Sequence, residues 1–405
     1  MSPRLFRRTA PTDRRPVPED LRVLIVAAFI IAVGFGIVAP VLPQFAASFD
    51  VGYAAAGAVI SVFAVMRLVW APAAGGIMGR IGERGTYLIG LTVVALSSLA
   101  TAFAANFPML LVLRGLGGIG SVMFTVSAMG LIARRSPVAI RGKISGYYAT
   151  AFLLGNILGP VLGSVIAIWG LRAPFIIYAV ALAGAIGVAA WKLRPLPATT
   201  ETGSIMLPMK LSAALPLPEY KALMVSSFAH GWTNFGARTA LIPLLAALVM
   251  ADAEAGARVA GVGLAMIAAG AAVAQVLFSG WSDRVGRRPV MLVGLACSAV
   301  LTGALGFSGS QWALWGLCLA GGFAVGLYAP AQQAALADVV GHRRSGGSVM
   351  AAFQASADSG AIIAPVLLGW VADLFGFGPA FALCGAVFAV ALLIWALLPR
   401  STSLR

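Results

Sequence analysis

Twelve apolar stretches, each about long enough to cross a bilayer, succeed one another along this chain, and they limit its fold more than any other feature. They lie near 21–46, 55–78, 85–104, 107–132, 144–169, 173–193, 220–248, 257–279, 289–308, 311–336, 347–371 and 376–398. A bilayer's hydrocarbon core is about 30 Å thick, which takes about 20 apolar residues of helix to span. There, each backbone N–H and C=O must be satisfied within the segment, and helices do this. Charged residues are 10% of the 405, whereas a soluble domain carries about 25%. Soluble globular and disordered chains are both excluded. The sequence predicts an all-α membrane protein with 12 transmembrane helices.

A net charge of +15 would by itself point to nucleic acid, so the placement of the charges decides. Of the 28 Lys and Arg, Arg67, Arg114 and Arg238 fall inside spans, and Arg172 and Arg258 lie in loops of one side. All the others gather at the two termini or in every second loop. This is the excess that cytoplasmic loops carry, so the charge is a topology signal that places both termini in the cytoplasm. Nucleic acid is not an expected partner, because no aromatic residues interleave with the basic ones. Residues 1–20, with Arg4, Arg7, Arg8, Arg14 and Arg15, read as a cytoplasmic tail. A basic segment before an apolar run also resembles a signal peptide, but here the run is too long and eleven more follow. Cys297, Cys318 and Cys384 lie in apolar runs without metal-ligand spacing. They are expected to be small core residues, and no metal or cofactor is expected.

The segment from Lys192 to Glu219 breaks the pattern with five prolines, Pro195, Pro197, Pro208, Pro216 and Pro218. Six spans precede it and six follow. The predicted organisation is a tail (1–20), a six-helix bundle (21–193), a cytoplasmic linker (194–219), a second bundle (220–398) and a tail (399–405). The halves repeat. Gly36 and Pro43 correspond to Gly236 and Pro243, Gly82 and Arg84 to Gly286 and Arg288, Gly117-Gly118 to Gly321-Gly322, and Gly155 and Pro160 to Gly360 and Pro365. The order is kept at a nearly constant offset. Duplicated helical bundles are what alternating-access transporters are built from.

The stretch Gly155-Asn156-Ile157-Leu158-Gly159-Pro160-Val161-Leu162-Gly163 is unusual for a helix. In water each interior Gly would cost about 1 kcal/mol and the Pro about 3 kcal/mol. In a membrane, small residues instead let a neighbouring backbone come close. The stretch reads as a bent helix with a smooth face, serving either close packing alone or movement along that face.

Taken together, these motifs resemble the major facilitator superfamily over nearly the whole chain. Ser282-Asp283-Arg284-Val285-Gly286-Arg287-Arg288-Pro289 is similar to the family's cytoplasmic D-R-x-G-R-R loop. Gly79-Arg80-Ile81-Gly82-Glu83-Arg84 is its first-half counterpart, with Gly79 where the family usually has Asp. Arg114 through Gly120 resembles the R-x-x-x-G motif of the fourth helix. Residues 155–163 resemble the G-x-x-x-G-P-x-x-G motif of the fifth helix in the antiporter branch that includes drug/proton exporters. The resemblance implies two pseudo-symmetric six-helix bundles, with helix 2 facing helix 11 and helix 5 facing helix 8 across the halves. It also implies that Asp283 sits near Arg141 and Gly142 and latches the halves together, unless the loop is merely a charged turn. The smooth face of helix 5 would then be a surface along which the halves rock.

A charge in the bilayer core costs about 2.5–3.5 kcal/mol on insertion scales, so such residues are functional candidates. Asp358 is the acid near mid-membrane; Asp50, Asp338 and Asp373 lie at span ends. Arg67 and Asp358 are about 12 and 13 residues from the outer ends of their spans, and so reach similar depth. With helices 2 and 11 adjacent, they can pair either permanently or in a way that protonation of Asp358 breaks. His230, Asn234 and Arg238 recur at i, i+4, i+8, with Ser227 one turn earlier, as one polar stripe. The resemblance makes that stripe a cavity wall, although Arg238 could bond internally and His230 could be a satisfied core residue. Tyr328, Gln332 and Gln354 extend the candidate lining.

Three functions follow as expectations. The first is proton-coupled export of hydrophobic or amphipathic small molecules by a monomer in a bacterial cytoplasmic membrane. The second is export or flipping of an anionic or lipid-like amphiphile, which rests on the excess of mid-membrane arginines over acids. The third, a membrane-embedded enzyme or receptor, lacks an assembled nucleophile and base. No G-x-x-x-x-G-K-[ST] loop is present for ATP.

Overall fold

The structure, a computed structural model, describes residues 18–135, 141–193, 207–208, 211–278, 280–340, 344–345 and 347–398. Among these, eleven helices are long and apolar enough to cross a membrane. One of them, Tyr53–Ala102, has 50 residues. At 1.5 Å per residue it would be about 75 Å long, more than twice a bilayer core, so it must be two spans. The chain reverses at Gly82, with φ 77° and ψ 167°, a region that a side chain makes costly. The twelve spans are α1 (Glu19–Val38), α2 and α3 (53–81 and 83–102), α4 (Phe107–Arg135), α5 (Arg141–Ile166), α6 (Ala173–Lys192), α7 (Pro218–Met250), α8 (Ala253–Phe278), α9 (Arg287–Leu305), α10 (Gln311–Val340), α11 (Gly347–Phe375) and α12 (Phe377–Leu397).

Two spans depart from the expected continuous helices. The first apolar stretch ends as α1 at Val38 and resumes as the short helix Leu42–Ala47. Pro40 and Pro43 stand there, and proline cannot supply the helical N–H. Within α7, Trp232–Leu241 is a π-helix, with Pro243 just beyond it. Thr239 Oγ1 donates to the Asn234 carbonyl at 2.9 Å, five residues back, which the wider turn brings within reach.

The duplication is visible atom by atom. Gly286, the partner of Gly82, has φ 92° and ψ 159°. Beyond each glycine an arginine reaches a helix end: Arg84 Nη2 donates to the Ala190 carbonyl of α6 at 2.7 Å, and Arg288 Nη2 to the Ala396 carbonyl of α12 at 2.6 Å. Terminal carbonyls have no partner inside their own helix, and a cation there also meets the negative end of the dipole. Gly36 of α1 packs on Gly159 and Pro160 of α5, as Gly236 of α7 packs on Ala364 of α11.

Across the halves, α2 lies against α11 and α5 against α8. Gly369 of α11 meets the Tyr53 carbonyl of α2 there, and two further close approaches are again a repeated pair. Gly57 of α2 rests on the Pro365 carbonyl of α11, and Gly261 of α8 on the Pro160 carbonyl of α5, where a Cβ would stand 2.5 Å from the oxygen. Near the outer surface, Asp373 of α11 accepts from the Tyr53 and Ala54 amides at 2.8 and 3.0 Å, capping α2 from the opposite half. Gln44 Nε2 donates to the Pro243 carbonyl at 2.8 Å.

The expectation for the glycines of α5 needs correction. Gly155, Gly159 and Gly163 do not face α8. They face α1 of their own half, where added Cβ atoms would lie 2.5 Å from Ala32 Cβ, 2.6 Å from the Val33 carbonyl and 2.5 Å from the Ile37 carbonyl. With glycine every fourth residue, one side of α5 fits α1, and the Pro160 carbonyl and Ser164 on another side meet Gly261. Cys297 also departs from expectation: it is exposed on α9, while Cys318 and Cys384 are buried. Of the linker, Leu207–Pro208 pairs in parallel with Arg344–Ser345 and Leu211–Ala214 is helical. Residues 194–206 and both terminal tails (1–17 and 399–405) lie outside the described residues.

Candidate functional site between the two halves

Arg67 on α2 and Asp358 on α11 come near enough to interact electrostatically. They form no ion pair within 4 Å among the described residues. Asp358 Oδ1 instead accepts from Gln354 Nε2 at 3.1 Å, one turn nearer the cytoplasm. Both residues are half-buried and Gln354 is exposed. The predicted depth match therefore holds, and the pair stands open in this conformation.

Arg114 of α4 is 7% exposed. Its guanidinium lies 4.7 Å from the centre of the Phe63 ring, and its Nε has no hydrogen-bond partner among the described residues. The phenol of Tyr178 is an electrostatic neighbour. Next to the arginine is a narrow crevice lined by both halves, with Phe35, Leu42 and Phe63 from one and Phe235 and Thr239 from the other. Sequence reading singles out Arg114, and Phe235 as an apolar neighbour that would suit a greasy substrate, but not Phe35 and Phe63, which look like packing residues on their own helices.

The polar stripe of α7 divides. Ser227 faces α11, where its hydroxyl donates to the Phe353 carbonyl at 2.8 Å. Tyr220 donates to Val349 and Ser356 of α11 donates to Met224, both at 2.8 Å, so this end of α7 is stapled to α11. His230 Nδ1 stands in hydrogen-bond contact with the Tyr328 hydroxyl at 3.0 Å, and no hydrogen bond among the described residues joins it to Arg67 or Asp358. Asn234 and Arg238 are half-buried. Arg238 has His230, Tyr328 and Cys318 as electrostatic neighbours, so it points within its own half.

Tyr328 and Gln332 are not cavity wall. Tyr328 is fully buried and packs edge-on against Phe388, 6.1 Å between ring centres. Gln332 is 3% exposed and donates to Ser226 Oγ of α7 at 2.8 Å. Their face of α10 meets α7 and α12 within one bundle, and the hydrogen bonds satisfy groups that would be costly to bury alone.

In the cytoplasmic loop, Asp283 pairs with Arg287, which also donates to Ser282 Oγ at 2.9 Å and to Asp338 Oδ2 at 3.2 Å. Arg284 lies in the short helix Trp281–Val285 beside it. The side chains of Arg141 and Lys143 and the structure of residues 136–140 lie outside the described ones, so the expected latch site on α5 does too.

Solved structures with the same fold include a bacterial homologue of the human lysosomal transporter Spinster, solved inward-facing and unoccupied. It has TM-score 0.75 at 15% identity and covers 93% of this chain and 94% of that one. The nucleoside transporter NupG gives 0.72 at 13%, covering 94% and 98%. Among curated proteins, the chain is 31% identical over 173 residues to the quinolone resistance protein NorA of Staphylococcus aureus. It is 28% identical over 153 residues to multidrug resistance protein 2 of Bacillus subtilis. These matches span 43% and 38% of both partners, less than half of each relative's length. The Major Facilitator Superfamily model matches residues 24–232 and 227–404, nearly the entire chain. Its members are transporters rather than enzymes. With duplicated six-helix halves, glycine turns at equivalent positions and a charged seam between them, the chain belongs to the Major Facilitator Superfamily.

Proposed function

We propose that the protein is a secondary transporter of a bacterial cytoplasmic membrane, which works as a monomer and exports amphipathic small molecules in exchange for protons by alternating access. The observation that carries this is the position of Asp358. It is the mid-span acid among the described residues, and it stands beside Arg67 at the seam where α2 meets α11. A carboxylate there gains or loses its attraction to Arg67 as it titrates, and that attraction acts between the halves. The pair is open here while the halves are joined near the outer surface by Gln44, Tyr53, Ala54 and Asp373. That pattern is consistent with a conformation closed outward, as in the inward-facing Spinster homologue. Likeness to NorA and to multidrug resistance protein 2 supports an amphipathic substrate.

The conformational motifs keep their proposed roles as turn and contact elements. Gly82, Arg84, Gly286 and Arg288 hold the loop geometry, and Pro160 and Pro365 present the carbonyls on which the halves meet. The test is efflux from everted vesicles with and without a pH gradient. Asp358→Asn is expected to abolish gradient-driven accumulation while leaving downhill exchange measurable. Gradient-driven transport at the wild-type rate in that variant would remove the coupling assignment.

A further inference from the structure

We infer that the outer face of the first bundle, where α1 meets α6, holds one phospholipid of the cytoplasmic leaflet and selects it by a primary-amine headgroup. The inference is independent of what the protein carries. Between the two helices runs an apolar groove of about 280 Å³, with Val23, Ala27 and Ile30 on one side and Gly184, Ala185 and Val188 on the other. It exists because the residues at its floor are small, and a Cβ added at Gly184 would meet no atom within 4 Å. From Val23 to Ile30 it is about 10 Å long at 1.5 Å per residue, some two-thirds of a leaflet's hydrocarbon depth of about 15 Å. One turn nearer the cytoplasm, the same helices frame a polar hollow lined by Pro18, Glu19, Asp20, Trp191 and Lys192. Trp191 is 79% exposed, as suits a ring at headgroup level. A tail in the groove gains packing but no hydrophobic energy, since bulk lipid is equally apolar, so any selectivity comes from the hollow. Lys192 Nζ donates to Glu19 Oε1 at 2.6 Å and lies 4.7 Å from the centre of the Trp191 ring, while Asp20 pairs with Arg135 of α4. Two carboxylates and one ammonium thus face the hollow. Each carboxylate offers about four lone-pair sites and the ammonium three donors, so both kinds of group can take a further partner. Phosphoethanolamine matches this set: its ammonium donates to Glu19 and Asp20 and its phosphate accepts from Lys192. A phosphatidylglycerol would bring a negative charge with no ammonium to two acids, and a phosphatidylcholine has no N–H to donate.

The experiment titrates full-length protein in detergent micelles with phosphatidylethanolamine, phosphatidylglycerol and phosphatidylcholine of one acyl composition, and counts retained lipids by native mass spectrometry. One phosphatidylethanolamine is expected to be held about fivefold more tightly than either of the others, the factor that one good surface ion contact supports. Gly184→Leu fills the groove, where there is open space for the side chain, and should remove the retained lipid whatever its headgroup. Glu19→Lys, at an exposed position, should turn the preference towards phosphatidylglycerol while a lipid is still retained. Equal retention of the three lipids by the wild type would overturn the inference, as would a preference for phosphatidylethanolamine that either variant leaves unchanged. A dimer that Gly184→Leu dissolves would give the groove to a second copy of the chain and overturn it likewise.

Discussion

Asp373→Ala tests how the outer surface is held shut. The carboxylate caps α2 from the opposite half through the Tyr53 and Ala54 amides at 2.8 and 3.0 Å. An N-terminal cap of this kind is worth about 1 kcal/mol, and the exposure of Asp373 keeps the estimate at that level. Because donor and acceptor lie on different halves, the loss falls on the outward-closed conformation and not on either bundle alone. A loss of about 1 kcal/mol changes a two-state ratio about fivefold, so an outward-open state held at about 5% would rise to about 20%. Spin labels at Ser48→Cys and Ser310→Cys, in a Cys297→Ser background, would report this as a growing long-distance population. Asp373→Asn keeps one carbonyl acceptor and should fall between. An unchanged distance distribution in Asp373→Ala would show that this cap does not bias the conformations.

Other outcomes can be checked on the same protein. Gly159→Leu, whose Cβ would stand 2.7 Å from Gly36 Cα, should lower thermal stability by about 1–3 kcal/mol through overpacking of α1 on α5, as well as impair transport. Gly261→Ala, at the contact between halves, should slow transport with a smaller change in melting temperature; equal stability losses would make the two contacts equivalent. Arg288→Ala removes the bond to the Ala396 carbonyl and should cost about 1 kcal/mol of stability in detergent unfolding, with substrate affinity unchanged. Gln332→Leu should likewise lower stability through the loss of its bond to Ser226 and leave the substrate concentration dependence of transport unaltered. A shifted KM would return Gln332 to the cavity.

The features that could be read in the sequence are those where chemistry leaves one choice. Gly82 and Gly286 adopt backbone angles that glycine adopts without strain, so their loops announce themselves, and the arginines two residues on follow at the same spacing. The depth of Arg67 and Asp358 was also legible, because helix rise converts residue count into distance. Facing was not. Tyr328 and Gln332 look alike in sequence whether their helix face meets a cavity or a neighbouring helix, since buried hydrogen bonds serve polar groups in both settings. The π-helix in α7 changes the residue count per turn between Asn234 and Arg238, so the α-helical stripe drawn through them has no single face. Glycines spaced by four mark a close approach but do not name the partner, and for α5 that partner is α1. Whether Arg67 touches Asp358 depends on how the halves stand relative to each other, which is a matter of conformation.

Gly57 on the Pro365 carbonyl and Gly261 on the Pro160 carbonyl have a mechanical consequence. Each sets a glycine on a carbonyl, with the Ser164 Cβ added at Gly261, so a small rotation there moves no side chain out of its rotamer. Both lie in the outer part of the spans, and the cytoplasmic end of α2 is about 24 residues away, or about 36 Å of lever at 1.5 Å per residue. Under the proposed rocking, a turn of about 16° at these two points would move that end about 10 Å while the contacts themselves slide by about 1 Å. The protein would thus pivot on two bearings made of glycine and carbonyl, with amplitude set by helix length and not by the strength of any bond.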